Sequence, residues 1–206
     1  FNKEDILVVY MGRIAPEKNL EFLLQAFAGV SRAVPNTKLL IVGGGQKEHE
    51  EGIKDFANEI GLDDCVKFTG AVAYAKLPSY LSMCDIFATA SVTEVHPFSV
   101  IEGMATGLPI LGIDSPGISD SISDGETGLL SADDLASYTA KLTTLCLNKD
   151  LQKKMGAAAQ QASRQFSIEN TTTIMLGHYN RLVSNTKPVK PSIEERLRSV
   201  LKEFLV

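Results

Sequence analysis

No stretch of this chain gathers lysine and arginine into a basic cluster, and the formal net charge over 206 residues is −5. A surface that follows a nucleic-acid backbone needs concentrated positive charge, so nucleic acid is not expected as a partner. Cysteine is scarce. Cys65, Cys84 and Cys146 are odd in number, widely spaced and without a CxxC pair, which argues against a disulfide framework or a zinc site and fits a reducing compartment. No run approaches the roughly 20 apolar residues that a membrane-spanning helix needs, and residues 1–5 do not form a signal peptide. A soluble, cytoplasmic protein is the expectation. An initiator methionine is also missing, so Phe1 is read as an internal residue of a longer polypeptide. The chain has no internal repeat and no low-complexity tract, and the sequon Asn170-Thr171-Thr172 is read as a chance match.

What the chain does have is apolar residues, 44% of the total, enough to bury one substantial core. Short β-rich runs at 6–11, 39–42, 66–69, 86–90 and 110–113 alternate with helical patterns. Leu20, Leu23, Leu24, Phe27 and Val30 recur at helical spacing, as do Ile53, Phe56, Ala57 and Ile60, and 77–83 makes a short third helix. This alternation predicts the α/β class: a Rossmann-like, doubly wound parallel sheet of about six strands with helices on both faces. Sheets of that kind bind ligands at the carboxyl ends of their strands, above all at the switch point.

From Ala132 the pattern becomes helix after helix, at about 132–147, 150–165 and 168–183, an all-helical carboxy-terminal extension. Prolines then interrupt at 186–191. The expected division is therefore one domain over 1–185, with a linker and a terminal amphipathic helix over 186–206. Ser192-Ile193-Glu194-Glu195 starts that helix as a capping box, and Ile193, Leu197, Val200, Leu201 and Phe204 form its apolar stripe. The stripe is expected to pack on this chain or on a neighbouring domain. Peripheral attachment to a membrane surface is the alternative, which the nearly cancelling charges of the helix disfavour.

Three segments carry residues suited to chemistry. Gly12-Arg13 ends the first predicted strand, and Pro16-Glu17-Lys18-Asn19 leads into the first long helix. Glycine lets backbone approach a ligand, a helix start offers N–H groups, and two cations add charge, so this turn suits a diphosphate. The alternative is an ordinary solvated turn. Gly43-Gly44-Gly45 follows the second strand; it is not a Walker loop, and Glu48 breaks the GxGxxG spacing. Glu94 and Glu102 stand eight apart between an apolar run and a predicted helix. Ser99-Val100-Ile101-Glu102 has the form of a capping box, in which Glu102 only returns a hydrogen bond to the helix start, and Glu94 can be a solvated loop acid. As a pair they can instead accept hydrogen bonds from sugar hydroxyls. Pro97 has no N–H, so a backbone contact there must come from His96 or Phe98. His96 itself is either a sugar ligand or a helix-entry residue, whereas His49 and His178 fall in helical patterns and read as surface residues.

These segments together resemble the retaining nucleotide-sugar glycosyltransferases of the GT-B fold, family GT4. Gly12 through Asn19 fits the family's G-R-x-x-x-x-K-N, Glu94 and Glu102 its E-x7-E, and Gly103 to Pro109 the continuation E-A-M-A-x-G-x-P. Phe68-Thr69-Gly70, with Leu77, Tyr80 and Cys84-Asp85-Ile86, looks like the family's F-x-G run and the helix and strand after it. Pro116-Gly117-Ile118-Ser119-Asp120 and Asp124 through Leu130 resemble G-I-P-E-x-I-x-D-G-x-x-G-L-L, with Asp120 in place of Glu; this last segment reads mainly as supporting turn chemistry. The resemblance runs from about Ile6 to Leu130.

The resemblance implies catalytic roles for Arg13 and Lys18 on the donor diphosphate and for Glu94 at the donor sugar. It implies that Glu102 accepts from the ribose hydroxyls, that Gly12, Gly44, His96, Phe98 and Ser99 complete the donor site, and that backbone around Val72 and Ala73 meets the base. Two cations on the leaving diphosphate can replace a metal ion, and no DxD motif is evident, so no metal or other cofactor is expected. The implied function is the donor-binding, carboxy-terminal half of an enzyme that transfers a hexosyl group, from UDP-glucose first and GDP-mannose next. Such a half would be inactive without the amino-terminal acceptor domain of the same polypeptide. A GT-B epimerase or phosphorylase half is one alternative, and the absence of a pyridoxal-phosphate lysine motif counts against the phosphorylase. A non-catalytic nucleotide-binding module is another, and the intact Arg13, Lys18, Glu94 and Glu102 count against that. Pro97, where many relatives have glycine, bears on which sugar is bound.

Overall fold

The computed structural model of the chain describes residues 2–185, so the predicted linker and terminal helix at 186–206 lie outside the described residues. The chain divides into two compact units, one through Arg164 and one from Gln165. The first unit is built on six parallel strands: β1 (Ile6–Met11), β2 (Thr37–Val42), β3 (Val66–Phe68), β4 (Ile86–Ala88), β5 (Ile110–Ile113) and β6 (Gly128–Ser131). Their order across the sheet is β3-β2-β1-β4-β5-β6. Helices α1 (Leu20–Ala33), α2 (Lys47–Glu59), α3 (Leu77–Ser82), α4 (Phe98–Ala105), α5 (Ile118–Ser121), α6 (Leu135–Leu147) and α7 (Lys149–Ser163) connect and follow the strands. In the second unit α8 (Ile168–Asn185) is the one α-helix of the described residues, and among these residues no helix is long and apolar enough to cross a membrane.

The central strand explains the layering. β1 is an unbroken apolar run, buried at all six positions, as a parallel strand covered on both faces must be. Successive side chains point to opposite faces. Ile6, Val8 and Tyr10 enter one core with Leu23 and Phe27 of α1, Ile53 of α2 and Leu142 of α6. Leu7, Val9 and Met11 enter the other with Leu81 of α3, Met104 of α4, Ile118 of α5 and Ala159 of α7. Helices α6 and α7 begin where side chains cap them: Asp134 Oδ1 accepts from the Ser137 N–H at 2.8 Å and Asn148 Oδ1 from the Leu151 N–H at 2.9 Å.

The sixth strand falls in a segment that reads as turn chemistry. Gly128-Leu129-Leu130 continues the sheet instead, pairing from Ile110↔Gly128 to Ile113↔Ser131. Four residues with glycine and serine at the ends are too few to show a period. The glycine is a packing requirement, since a Cβ there would lie 2.1 Å from the Ile110 carbonyl oxygen.

The three cysteines are free. Burial pushes the Cys84 and Cys146 thiols up from 9.0 to about 12. Each folded thiol therefore holds its proton more tightly than the unfolded one, and the stability this contributes, fully present below about pH 9, is lost as pH rises toward 12. Each thiol steepens the loss by up to about 1.4 kcal/mol per pH unit. Replacing both by alanine is expected to flatten the decline of urea-derived stability between about pH 9 and 11; an unchanged slope would contradict the assignment.

Candidate active site

The sheet grows in opposite directions from β1 and β4, so the loops leaving the carboxyl ends of these neighbouring strands part and leave a crevice. A cavity of about 210 Å3 opens there, lined by Tyr10, Gly12, Arg13 and Lys18 from the β1 side and by Thr89, Glu94, His96, Pro97, Phe98 and Ser99 from the β4 side. Lys18 and Glu94 meet across it, Nζ to Oε1 at 2.6 Å, with only 18% and 17% of their side chains exposed. Arg13 reaches outward, 76% exposed, and pairs with Glu17 at 2.9 Å. An exposed pair of that kind contributes little to stability, which leaves the guanidinium available to a ligand at small cost.

The turn into α1 departs from the expected helix start. Pro16–Lys18 is a 3-10 turn, and Asn19 adopts a left-handed conformation with φ 52°. The Lys18 and Asn19 N–H groups donate within the turn, to Ala15 and Pro16 carbonyls at 2.9 and 3.1 Å. Positive charge here therefore comes from side chains and not from these two backbone donors. Gly12 is required by its neighbour: a Cβ would sit 2.8 Å from the Tyr10 hydroxyl, which donates to the Arg13 carbonyl at 2.7 Å. Burial first, then the negative charges of Glu94 and Glu17, raise the Tyr10 pKa far above its ordinary value, so this hydroxyl stays protonated.

At the end of β2 the glycine triplet runs against the β1 turn, backbone to backbone. A Cβ on Gly43 would lie 2.0 Å from the Gly12 carbonyl oxygen, and one on Gly45 2.0 Å from that of Ile14. Gly44, singled out from the sequence, is under a milder demand, 3.2 Å from the Ala71 nitrogen; its carbonyl accepts from the Ile14 N–H at 3.0 Å. Gly44 and Arg13 line a second cavity of about 680 Å3 with His49, Glu50 and Ala71. Glu50 braces this wall, accepting from Lys54 at 2.6 Å and from the Gly45 N–H at 3.1 Å, and these hydrogen bonds, Lys54 first, hold its carboxyl below the usual range.

Helix α4 begins without the capping box that Ser99 to Glu102 resembles, the alternative reading of Glu102. Pro97 stands at the N-cap with no side-chain bond, and Ser99 already lies within the helix. Glu102 accepts instead from the Tyr74 hydroxyl, 2.8 Å from Oε1. The Phe98 N–H donates to the His96 carbonyl at 3.0 Å, so that backbone group is already engaged. The Phe98 ring is 70% exposed and meets His96 edge to face, with centroids 4.8 Å apart. Gly117, just before α5, packs against the loop that carries Glu94: at φ +80° a Cβ would lie 2.2 Å from the Glu94 carbonyl oxygen. Sequence reading placed the turn at Gly117 but not its target. Nor did any local pattern point to Tyr74 or Tyr10.

Residues 1–162 match the model of the family described as glycosyl transferases group 1. The chain belongs to this family. Among its relatives, a D-inositol 3-phosphate glycosyltransferase of Gordonia bronchialis is 28% identical over 192 residues, 89% of this chain and 42% of that protein. A GDP-mannose-dependent alpha-(1-6)-phosphatidylinositol monomannoside mannosyltransferase of Mycobacterium tuberculosis is 31% identical over 165 residues, 75% of this chain and 42% of that protein. The chain thus spans less than half the length of these glycosyltransferases. In fold it is similar to the Anabaena protein Alr3699/HepE, solved in complex with UDP and glucose, at a TM-score of 0.76 and 22% identity over 87% of this chain and 48% of that one. The doubly wound sheet and its helices are those of GT-B glycosyltransferases.

Proposed function

We propose that this chain is the donor-binding half of a retaining glycosyltransferase of the GT4 type, which transfers a hexosyl group from UDP-glucose, or, as a second choice, from GDP-mannose. The observation that carries the reading is the Lys18–Glu94 pair at 2.6 Å, a cation and an acid from the two lips of the switch-point crevice. Breaking a glycosyl–phosphate bond puts negative charge on the leaving diphosphate and positive charge on the sugar. Preorganised charges of opposite sign on the two sides stabilise that separation. In this reading Lys18 and Arg13 receive the diphosphate without a metal ion or other cofactor, Glu94 turns to the sugar, and Glu102 accepts from the ribose. Gly12, the Gly44 backbone, His96, Phe98 and Ser99 enclose the donor, and the leaving phosphate takes the acceptor proton on the same face.

The UDP and glucose of HepE support a uridine donor, and the mannosyltransferase at 31% identity supports the second choice. Transfer requires the amino-terminal acceptor domain of the same polypeptide, and a cytoplasmic setting accords with three free thiols. Calorimetric titration of the chain with UDP, GDP, ADP and their sugar derivatives tests the proposal. UDP and UDP-glucose are expected to bind most tightly, with no transfer by this chain alone. Binding of none of these nucleotides would overturn the donor site, and robust transfer by the isolated chain would overturn the division of labour.

A further inference from the structure

Glu102 has a partner that the proposed donor site does not account for. Tyr74 opens the 3-10 turn Tyr74–Lys76 shortly after β3, with 75% of its surface exposed, and its hydroxyl donates to Glu102 Oε1 at 2.8 Å across 28 positions of sequence. We infer that Tyr74 is a positioning residue that holds the Glu102 carboxylate in the orientation that receives the vicinal hydroxyls of a ribonucleoside, and so sets the preference for a ribose diol. The inference rests on the proposed donor reading and deepens it.

Several features converge on that role. A glutamate side chain loses much rotamer freedom when it is fixed, and a partner that fixes it beforehand removes that cost from ligand binding. A carboxylate offers two oxygens and about four lone-pair sites; the tyrosine occupies one on Oε1, and a carboxylate held by a single donor keeps acceptor capacity for a ligand. Two adjacent hydroxyls of a ribose are two donors that such a group can take together. A tyrosine hydroxyl is protonated at neutral pH, and its hydrogen bond to Glu102 raises the Tyr74 pKa further. Fold integrity does not explain the contact, because the ring is mostly in solvent, where side chains contribute little to stability. The turn that carries Tyr74 directly follows Val72 and Ala73, so in the donor reading one short segment supplies both the base contact and the partner of Glu102.

The test is calorimetric titration of UDP and of 2′,3′-dideoxyuridine diphosphate, which lacks the diol, into the chain and its Tyr74→Phe, Glu102→Gln and doubly substituted variants. The unsubstituted chain is expected to prefer UDP by about tenfold or more. Tyr74→Phe is expected to weaken UDP by about three- to tenfold while leaving the dideoxy compound nearly unchanged, with an unaltered melting temperature. In the Glu102→Gln background the same substitution is expected to have no further effect, because the group it positions has changed. A full UDP preference retained in Tyr74→Phe overturns the inference while leaving the donor site standing, as does equal weakening of both nucleotides. Absence of binding by the unsubstituted chain overturns both.

Discussion

Alanine at Lys18 is expected to lower kcat of the intact transferase by about 10^2- to 10^3-fold, and the affinity of this chain for UDP by about ten- to a hundredfold. Two effects act in the same direction. The ammonium that faces the departing diphosphate is lost, and Glu94, whose side chain is only 17% exposed, is left as an uncompensated charge where an anion must bind. Removing one partner from such a pair also costs folding stability, about 2–3 kcal/mol for a pair this far from solvent. Adding Glu94→Gln to Lys18→Ala is therefore expected to restore part of both the stability and the UDP affinity, although not the activity. Denaturant titration and calorimetry on the two single variants and the double variant measure this coupling. Strictly additive losses would show that the two residues do not act on one ligand.

Gly117→Ala is the second large effect. The residue sits at φ +80°, and its Cβ would meet the Glu94 backbone oxygen at 2.2 Å. Neighbouring Gly125 supplies the control, with nearly the same φ of +77° but nothing within 4 Å of a Cβ. Alanine at Gly125 is expected to cost about 1 kcal/mol for conformation alone. At Gly117 the backbone collision adds to this, for about 3–4 kcal/mol in all, which lowers Tm by roughly 10 °C in a chain of this size. Because the collision pushes on Glu94, the Gly117 variant is expected to lose affinity for UDP-glucose more than for UDP. Equal melting temperatures for the two alanine variants would contradict the close approach.

The legible and illegible parts of this molecule divide along a physical line. Strands β1, β2, β4 and β5 announce themselves as short, largely apolar runs between turn residues, a composition that burial in the sheet demands, whereas the edge strand β3 carries the exposed Lys67 between Val66 and Phe68. Helices α6 and α7 are legible as the helix-after-helix pattern from Ala132, although that pattern does not mark the caps Asp134 and Asn148 that set their starts at Leu135 and Lys149. β6 hides because Gly128 is selected by the Ile110 carbonyl of the neighbouring strand, a pressure that no local pattern carries. The candidate site divides in the same way. Arg13, Lys18, Glu94 and Glu102 stand out by spacing, yet the contact of Lys18 with Glu94 spans 76 positions and depends on β1 lying beside β4. Ser99 to Glu102 satisfies the letter pattern of a capping box. Pro97 nevertheless takes the N-cap, its carbonyl accepting from Val100 and Ile101 at 3.0 and 3.1 Å, and this frees Glu102 for Tyr74.

The most direct test of the donor crevice is the set of backbone amide NMR shifts that UDP induces in this chain. The account predicts changes gathered at the carboxyl edge of the sheet, at Gly12, Lys18, Gly44, Ala73, Glu94 and Glu102. The opposite edge, where Asp85, Gly107 and Lys149 border a separate cavity of about 320 Å3, should stay still. Shifts confined to that opposite edge, or none at saturating UDP, would contradict it.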